Sequence, residues 1–235
     1  MTYTHNRATT VMGLLLVATV LAGCSTTEAA PPFDLRAQTE MNKRYGALND
    51  EKHEVKAVNL LRVDPSNLRQ VVEFETNEPP GTIVVDTAKR FLYLVQADGT
   101  ALRYGIGVGQ EGLEFTGSGI VGYKREWPRW TPTANMIERN PKLYAPWRGG
   151  MEGGAKNPLG ARALYLFKGG KDTLFRIHGT SEPWTIGQAV SSGCIRMFNQ
   201  DVVDLYRRVP SGAKVVVLDS ESATARDYQT KNGEL

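Results

Sequence analysis

The sequence predicts a mainly β domain that begins near Gly81, and three observations carry that expectation. Thr82–Val85 and Phe91–Val95 are strand-length runs of β-branched and aromatic residues. Asp98-Gly99 separates the second run from Ala101–Val108, a strong short-range hairpin signal. Ala163–Phe167 and Thr173–Ile177 repeat the arrangement around Gly169-Gly170.

Residues 123–162 are rich in Trp, Pro and Gly without periodicity, and read as a long ordered loop with one short helix near Ala134–Arg139. A structureless stretch of that length inside a compact domain is usually functional. Asn199 is placed to cap a helix in which Val202, Leu205, Tyr206 and Val209 fall on one face, and Pro210 stops it. Lys214–Leu218 is a last strand, and 219–235 a polar tail. Before the domain, 38–56 has weak helical character, 57–75 mixes short apolar runs with Pro65, and Glu78-Pro79-Pro80-Gly81 marks the boundary.

The first 23 residues read as an export signal. Arg7 is their only charged residue, and the apolar run Val11–Leu21 is too short to span a bilayer, which takes roughly 20 residues. Leu21-Ala22-Gly23-Cys24 resembles the bacterial lipoprotein signal, in which the cysteine thiol is lipidated and becomes the new N-terminus. The expected layout is therefore a lipoprotein signal peptide at 1–23, a lipid-anchored tether and extension at 24–80, a catalytic domain at 81–218 and a tail. The expected location is the periplasm, tethered through Cys24, with Ser25 favouring the outer membrane.

Cleavage before Cys24 leaves 212 of 235 residues, enough for one good core. The loss of Arg7 takes the formal net charge from +3 to +2. With no dense Lys/Arg block and no aromatic-basic stripe, nucleic acid is not an expected partner.

The chain has two cysteines. If lipid consumes Cys24, Cys194 has no intrachain partner, and an unpaired thiol in an oxidising compartment is a liability unless buried or used. A thiol nucleophile needs a base and a group that orients the base. His178, at the end of a strand, is the only histidine after Gly81 and lies sixteen positions before Cys194. Gly193 permits a tight backbone approach, and the N–H groups of Gly193 and Cys194 can form an oxyanion hole. Arg196 can lower the thiol pKa, hold a substrate carboxylate or be a surface ion-pair partner. A zinc site lacks a third and fourth ligand, and no HExxH or CxxC occurs. On composition alone a buried structural Cys and a structural His remain open.

The run Ile177-His178-Gly179-Thr180, then Pro183-Trp184, Ile186-Gly187 and Ser191-Ser192-Gly193-Cys194-Ile195-Arg196-Met197, resembles the signature of the L,D-transpeptidase (YkuD-like) family. Asn199, Asp201, the strand at Gly81–Asp86, Arg90–Tyr93 and Asn157–Leu164 extend the likeness over roughly 81–218. The resemblance implies a β-sandwich-like catalytic fold with a long loop or lid and one or two short helices. It implies an enzyme with no cofactor that cuts the bond between the third and fourth residues of a peptidoglycan stem and passes the acyl group to an amine. By that likeness Cys194 is the nucleophile, His178 the general base and acid, and the Gly179 carbonyl orients the imidazole. Many members carry His where this chain has Ser192, so His178 stands as the only candidate base. Trp127, Trp130, Tyr144, Trp147 and Ser192 are candidates to bind the donor. Expected partners are stem peptides, a membrane through Cys24, and an envelope protein as one candidate amine acceptor. A peptidoglycan carboxypeptidase or endopeptidase with the same pair, and a non-catalytic wall-binding lipoprotein, are the competing readings.

Overall fold

The structure is a computed structural model that describes residues 1–2, 34–50, 52–109, 115–191 and 193–218. Residues 3–23 of the expected signal segment, Cys24, Ser192 and the C-terminal tail lie outside the described residues. The chain divides into two compact units, 1–35 and 36–235, and the second holds the β domain. Among the described residues no helix is long and apolar enough to cross a membrane.

The strands are β1 (Leu48–Asp50), β2 (His53–Val55), β3 (Gln70–Glu73), β4 (Ile83–Asp86), β5 (Phe91–Val95), β6 (Thr100–Gly105), β7 (Val108–Gly109), β8 (Gly117–Glu126), β9 (Arg162–Lys168), β10 (Lys171–His178), β11 (Ala189–Ser191), β12 (Ile195–Arg196) and β13 (Lys214–Leu218). The α-helices are α1 (Leu35–Arg44), α2 (Ala134–Arg139), α3 (Pro141–Tyr144) and α4 (Asn199–Arg208). Nine strands form one sheet in the order β12-β10-β9-β8-β13-β4-β5-β6-β3. The β10–β12 and β4–β13 pairs are parallel, and every other neighbour in that sheet is antiparallel.

Alternation puts one side chain in two on each face. Ile83 and Val85, Leu92 and Leu94, Leu164 and Leu166, Ile177, Ile195, Val215 and Val217 all point into one core. Strands from both halves of the sheet share this core with Val202, Leu205 and Val209 of the α4 region, so the sheet bends around the helix. The mainly β, sandwich-like expectation is met in this form.

Several details differ from the sequence expectation. Asn199 does not cap α4: Phe198 occupies the cap position, with no side-chain cap bond. The Asn199 amide instead bonds the backbone of Ala161 and Thr180. The expected long loop starts later, because β8 continues to Glu126. β8 was hidden by Gly117, Gly119 and Gly122, which sequence alone reads as loop; at Gly122 a Cβ would run into the Phe167 ring. The long loop is ordered and pinned at its base. Trp127 N–H donates to the Ala161 carbonyl at 2.8 Å, and Trp130 and Met151 exchange backbone bonds of 2.9 and 2.7 Å. The buried Asn157 amide donates to the carbonyls of Pro128, Met151 and Glu152 at 3.0–3.1 Å.

Residues before Gly81 also join this unit. β3 is the edge strand beside β6. Tyr45, fully buried, donates its hydroxyl to both carboxylate oxygens of Asp201 at 3.0 Å and accepts from Arg69 N–H at 2.6 Å. Gln200 donates to the carbonyls of Tyr45, Gly46 and Lys56. Arg69 pairs with Asp204 and approaches Asp201 at 3.8 Å.

Candidate functional site

β10 and β12 bring the two chemistry-bearing segments side by side. Their register pairs Ile177 with Ile195 and His178 with Arg196. Both isoleucines face the core, so alternation puts Arg176, His178, Cys194 and Arg196 together on the opposite face. Carried back one residue, the register sets Cys194 opposite Arg176, whose backbone N–H bonds to the thiol.

His178 is 4% exposed and held through one ring nitrogen, with Nδ1 2.6 Å from the Gly179 carbonyl oxygen. A carbonyl can only accept, so Nδ1 carries the proton and Nε2 is left as the basic nitrogen. The Gly179 N–H in turn donates to the Arg162 carbonyl at 3.0 Å. The Asn199 side chain donates to the Thr180 carbonyl at 2.8 Å and accepts from Ala161 N–H at 2.9 Å, bracing the same turn from α4.

Cys194 follows a turn only glycine fits easily. Gly193 has φ +124, a region L side chains rarely enter. β7 packs against the turn so closely that a Cβ on Gly109 would overlap the Gly193 backbone nitrogen. The Ser191 hydroxyl donates to the Cys194 carbonyl at 2.7 Å and accepts from Gly193 N–H at 3.4 Å. Gly107 and Arg196 exchange backbone bonds of 2.9 and 2.8 Å, locking β12 from its other side.

Burial dominates the electrostatics. It lowers the His178 pKa from 6.5 to about 4, against the bond to Gly179, and the Arg196 and Arg176 charges push the same way. It raises the Cys194 thiol above its ordinary value, and the Arg176 N–H and the two guanidinium charges only partly offset that. At neutral pH the pair therefore rests as neutral imidazole and neutral thiol, not as an ion pair. Such a pair can perform general-base-assisted thiol attack, with the proton leaving sulfur as the new bond forms.

The other residues expected at the site are more scattered. Arg196 is tied to Glu182 at 2.9 Å, across the loop that joins His178 to β11. Trp127 is buried among Val55, Ala161 and Val203, with the His53 ring edge-on at 4.7 Å. Trp130 is also buried, and its ring centroid lies 6.2 Å from that of the half-buried Tyr144. Trp147 is exposed on the turn after α3. The four aromatics thus do not form one wall.

Sequence reasoning missed Arg176, Gly109 and Glu182, and it read Asn199 as a helix cap and so missed its bracing role. Arg176 shares the face of Cys194, bonds Asp172 through both guanidinium nitrogens at 2.7 and 2.8 Å, and lies 4.3 Å over the Tyr165 ring. Gly109 was signalled by the alternation Gly105-Ile106-Gly107-Val108-Gly109, and Glu182 and Asn199 by their positions within the motif.

Residues 80–217 match the model of the L,D-transpeptidase catalytic domain, YkuD. The chain belongs to that family. It is 36% identical over 140 residues to the probable L,D-transpeptidase ErfK/SrfK of Escherichia coli (strain K12), covering 58% of this chain and 44% of that protein. It is 34% identical over 140 residues, with the same coverage, to the probable L,D-transpeptidase YbiS of the same strain. The chain thus spans somewhat under half the length of these curated relatives. A solved structure from Brucella melitensis, described as a probable carnitine operon oxidoreductase, is 58% identical and covers 68% of this chain and 99% of its own, with a TM-score of 0.47. At that score the structural likeness carries no weight in assigning a function.

Proposed function

We propose that this chain is a peptidoglycan L,D-transpeptidase with Cys194 as nucleophile and His178 as its base. The observation that carries the reading is the shared face of β10 and β12: a neutral imidazole oriented through Nδ1 by Gly179, beside a thiol at a glycine-built turn. The relatives named as probable L,D-transpeptidases support it.

The thiol sulfur attacks the carbonyl carbon between the third and fourth residues of a stem tetrapeptide while His178 Nε2 takes the thiol proton. The oxyanion is met by the backbone N–H groups of Gly193 and Cys194. As the C–N bond breaks, the imidazolium returns the proton to the departing amine of D-Ala, leaving a thioester on Cys194. An acceptor amine then attacks the thioester, His178 takes its proton and passes it to the departing thiol. Arg196 is a positioning residue that holds Glu182 of the loop, and its charge beside Cys194 also eases ionisation of the thiol. The long loop limits water at the thioester, which favours transfer to an amine over hydrolysis.

The enzyme works outside the cytoplasm, held to a membrane by lipid on Cys24, with stem peptides as donors and an amine of another stem or of an envelope protein as acceptor. Mass analysis of muropeptides after incubation with purified protein tests the activity. Dimers or exchanged termini are expected; trimmed monomers alone would make it a hydrolase. Cys24→Ala is expected to move the protein out of the membrane fraction with catalysis in vitro intact, and a variant that stays with membranes would sink the anchor.

A further inference from the structure

A cleft of about 290 Å³ opens beside the loop that joins His178 to β11, and neither His178 nor Cys194 lines it. One wall is the loop itself, from Thr180 to Trp184; another is residues 54–58 of the N-terminal extension; Gly154, Ala155 and Gly160 leave the space between them. The extension wall lies outside the residues that match the family, while the rest of the lining lies within them, so the cleft forms where the extension meets the shared domain.

Three properties describe its occupant. The cleft has aromatic surface at two levels, with Trp127 buried beneath it and Trp184 on its edge, 65% exposed. Trp184 is not exposed because its loop is loose. The Thr185 hydroxyl donates to the Glu182 carbonyl at 2.7 Å, Gly187 N–H donates to the Ile106 carbonyl at 3.0 Å, and Thr185 and Ile186 are buried. A rigid loop thus holds a large aromatic ring in water at the lip of a cavity, where it can serve as a stacking platform. The charges are balanced: Glu54 and Lys56 are both exposed, and alternation around the buried Val55 puts them on one face. A cleft of that kind does not select an acid or a base. The opposite wall is of small residues, and the volume is at the low end of the roughly 300–1,000 Å³ of ligand pockets. A neutral, compact ring with an apolar face and a hydroxyl or amide rim fits all three.

We propose that this cleft is a saccharide subsite that holds the glycan strand from which the donor stem extends. The inference rests on the peptidoglycan reading above and adds to it. The geometry links the two sites: Thr180–Trp184 lines the cleft, while Glu182 of the same loop pairs with Arg196 beside Cys194. A sugar stacked on Trp184 is held by the segment that positions His178, so the cleft contributes to substrate capture and not to chemistry.

The test uses the full-length chain and β-1,4-linked N-acetylglucosamine oligomers, which carry no stem, and follows tryptophan fluorescence. A saturable change is expected in the parent. Trp184→Ala should weaken it about tenfold or more, roughly 1.4 kcal/mol. Ala155→Phe, which fills the cleft from the opposite wall, should do the same. No saturable change in the parent, or unaltered affinity in either variant, overturns the proposal. A second arm compares donors: in Trp184→Ala, KM should rise for a disaccharide-linked tetrapeptide and stay put for the free tetrapeptide, with kcat unchanged for both. An equal rise for both donors overturns a sugar role. If neither donor turns over in the parent, the transpeptidase reading fails, and the binding arm still decides the subsite.

Discussion

His178 and Asp201 are both buried ionisable groups, twenty-three positions apart, at the two ends of the segment that holds the candidate site. Burial acts on each by disfavouring its charged form, and so reverses their order: His178 goes down from 6.5 to about 4, Asp201 up from 3.8 to about 7. What surrounds them differs. Asp201 sits in a network that crosses the chain, with Tyr45 donating to both oxygens and Arg69 alongside. His178 is steadied through Nδ1 by its own neighbour, which fixes a tautomer and leaves Nε2 for chemistry. A buried polar group enclosed by long-range partners is used for cohesion, whereas one held by a single local bond is free to act. Substitutions in the two regions should therefore separate: the first set changes reactivity with little change in stability, the second the reverse.

The largest effect is expected at Cys194. Cys194→Ala should remove covalent adduct formation with a carbapenem-type acylating agent, read by intact mass, while the unfolding midpoint stays near that of the parent. An unchanged adduct would place the nucleophile elsewhere. His178→Gln comes next. It removes the base while keeping a side chain that can bond Gly179, and should slow acylation by about 10²–10⁴, the usual range for general base catalysis. The pH profile is a further constraint. Because the folded imidazole titrates near 4, it stays an unprotonated base through neutral pH, and acylation should not fall between pH 8 and pH 6 as it would with an imidazole of ordinary pKa. A steep loss near pH 6.5 would mean that the imidazole is not desolvated as the structure has it.

Much of the domain could be read from sequence, because its signals are local. β4, β5, β13, the hairpin at Asp98-Gly99 and the short α2 helix rest on neighbours within a few positions. The candidate pair was legible because motif residues carry it. Three things were not legible, each for a physical reason. β8 has glycine at 119 and 122 because the Phe167 carbonyl and the Phe115 ring, and the Phe167 ring, occupy the space their side chains would take, so propensity points the wrong way. Asn199 looks like a helix cap because Asn is one of the best, yet its amide braces Ala161 and Thr180, contacts that exist only once the chain has folded. The role of Tyr45 depends on a partner 156 positions away, and no pattern within the extension announces it.

The cohesive region should respond in the opposite sense. Tyr45→Phe removes the hydroxyl that serves Asp201 and Arg69 N–H, leaving buried polar groups short of a partner, and should cost about 1–3 kcal/mol in chemical denaturation. Acylation by the carbapenem-type agent should stay within about twofold, well under the 1.4 kcal/mol that marks a tenfold change. A loss of acylation matching the loss of stability would mean that the extension shapes the site directly. Asp201 adds a pH signature. Its folded value lies above its unfolded one, so the contribution it makes to stability is full below the unfolded value of 3.8 and is lost as pH rises through about 7. Asp201→Asn, which keeps the shape without the charge, should flatten that fall.

The smallest effect separates anchoring from charge at Arg196. Its ion pair with Glu182 is half-exposed on the acid side, and such pairs contribute about 0–1 kcal/mol. Glu182→Gln should therefore leave the unfolding midpoint nearly unchanged. It nevertheless frees the guanidinium beside Cys194 from its counter-charge, so the local potential becomes more positive and the thiol easier to ionise. The alkaline rise in acylation rate should shift to lower pH in Glu182→Gln and to higher pH in Arg196→Gln. Opposite shifts mean that Arg196 acts on the thiol through its charge. Equal losses in both variants, with no shift in either profile, would mean that it only holds the loop.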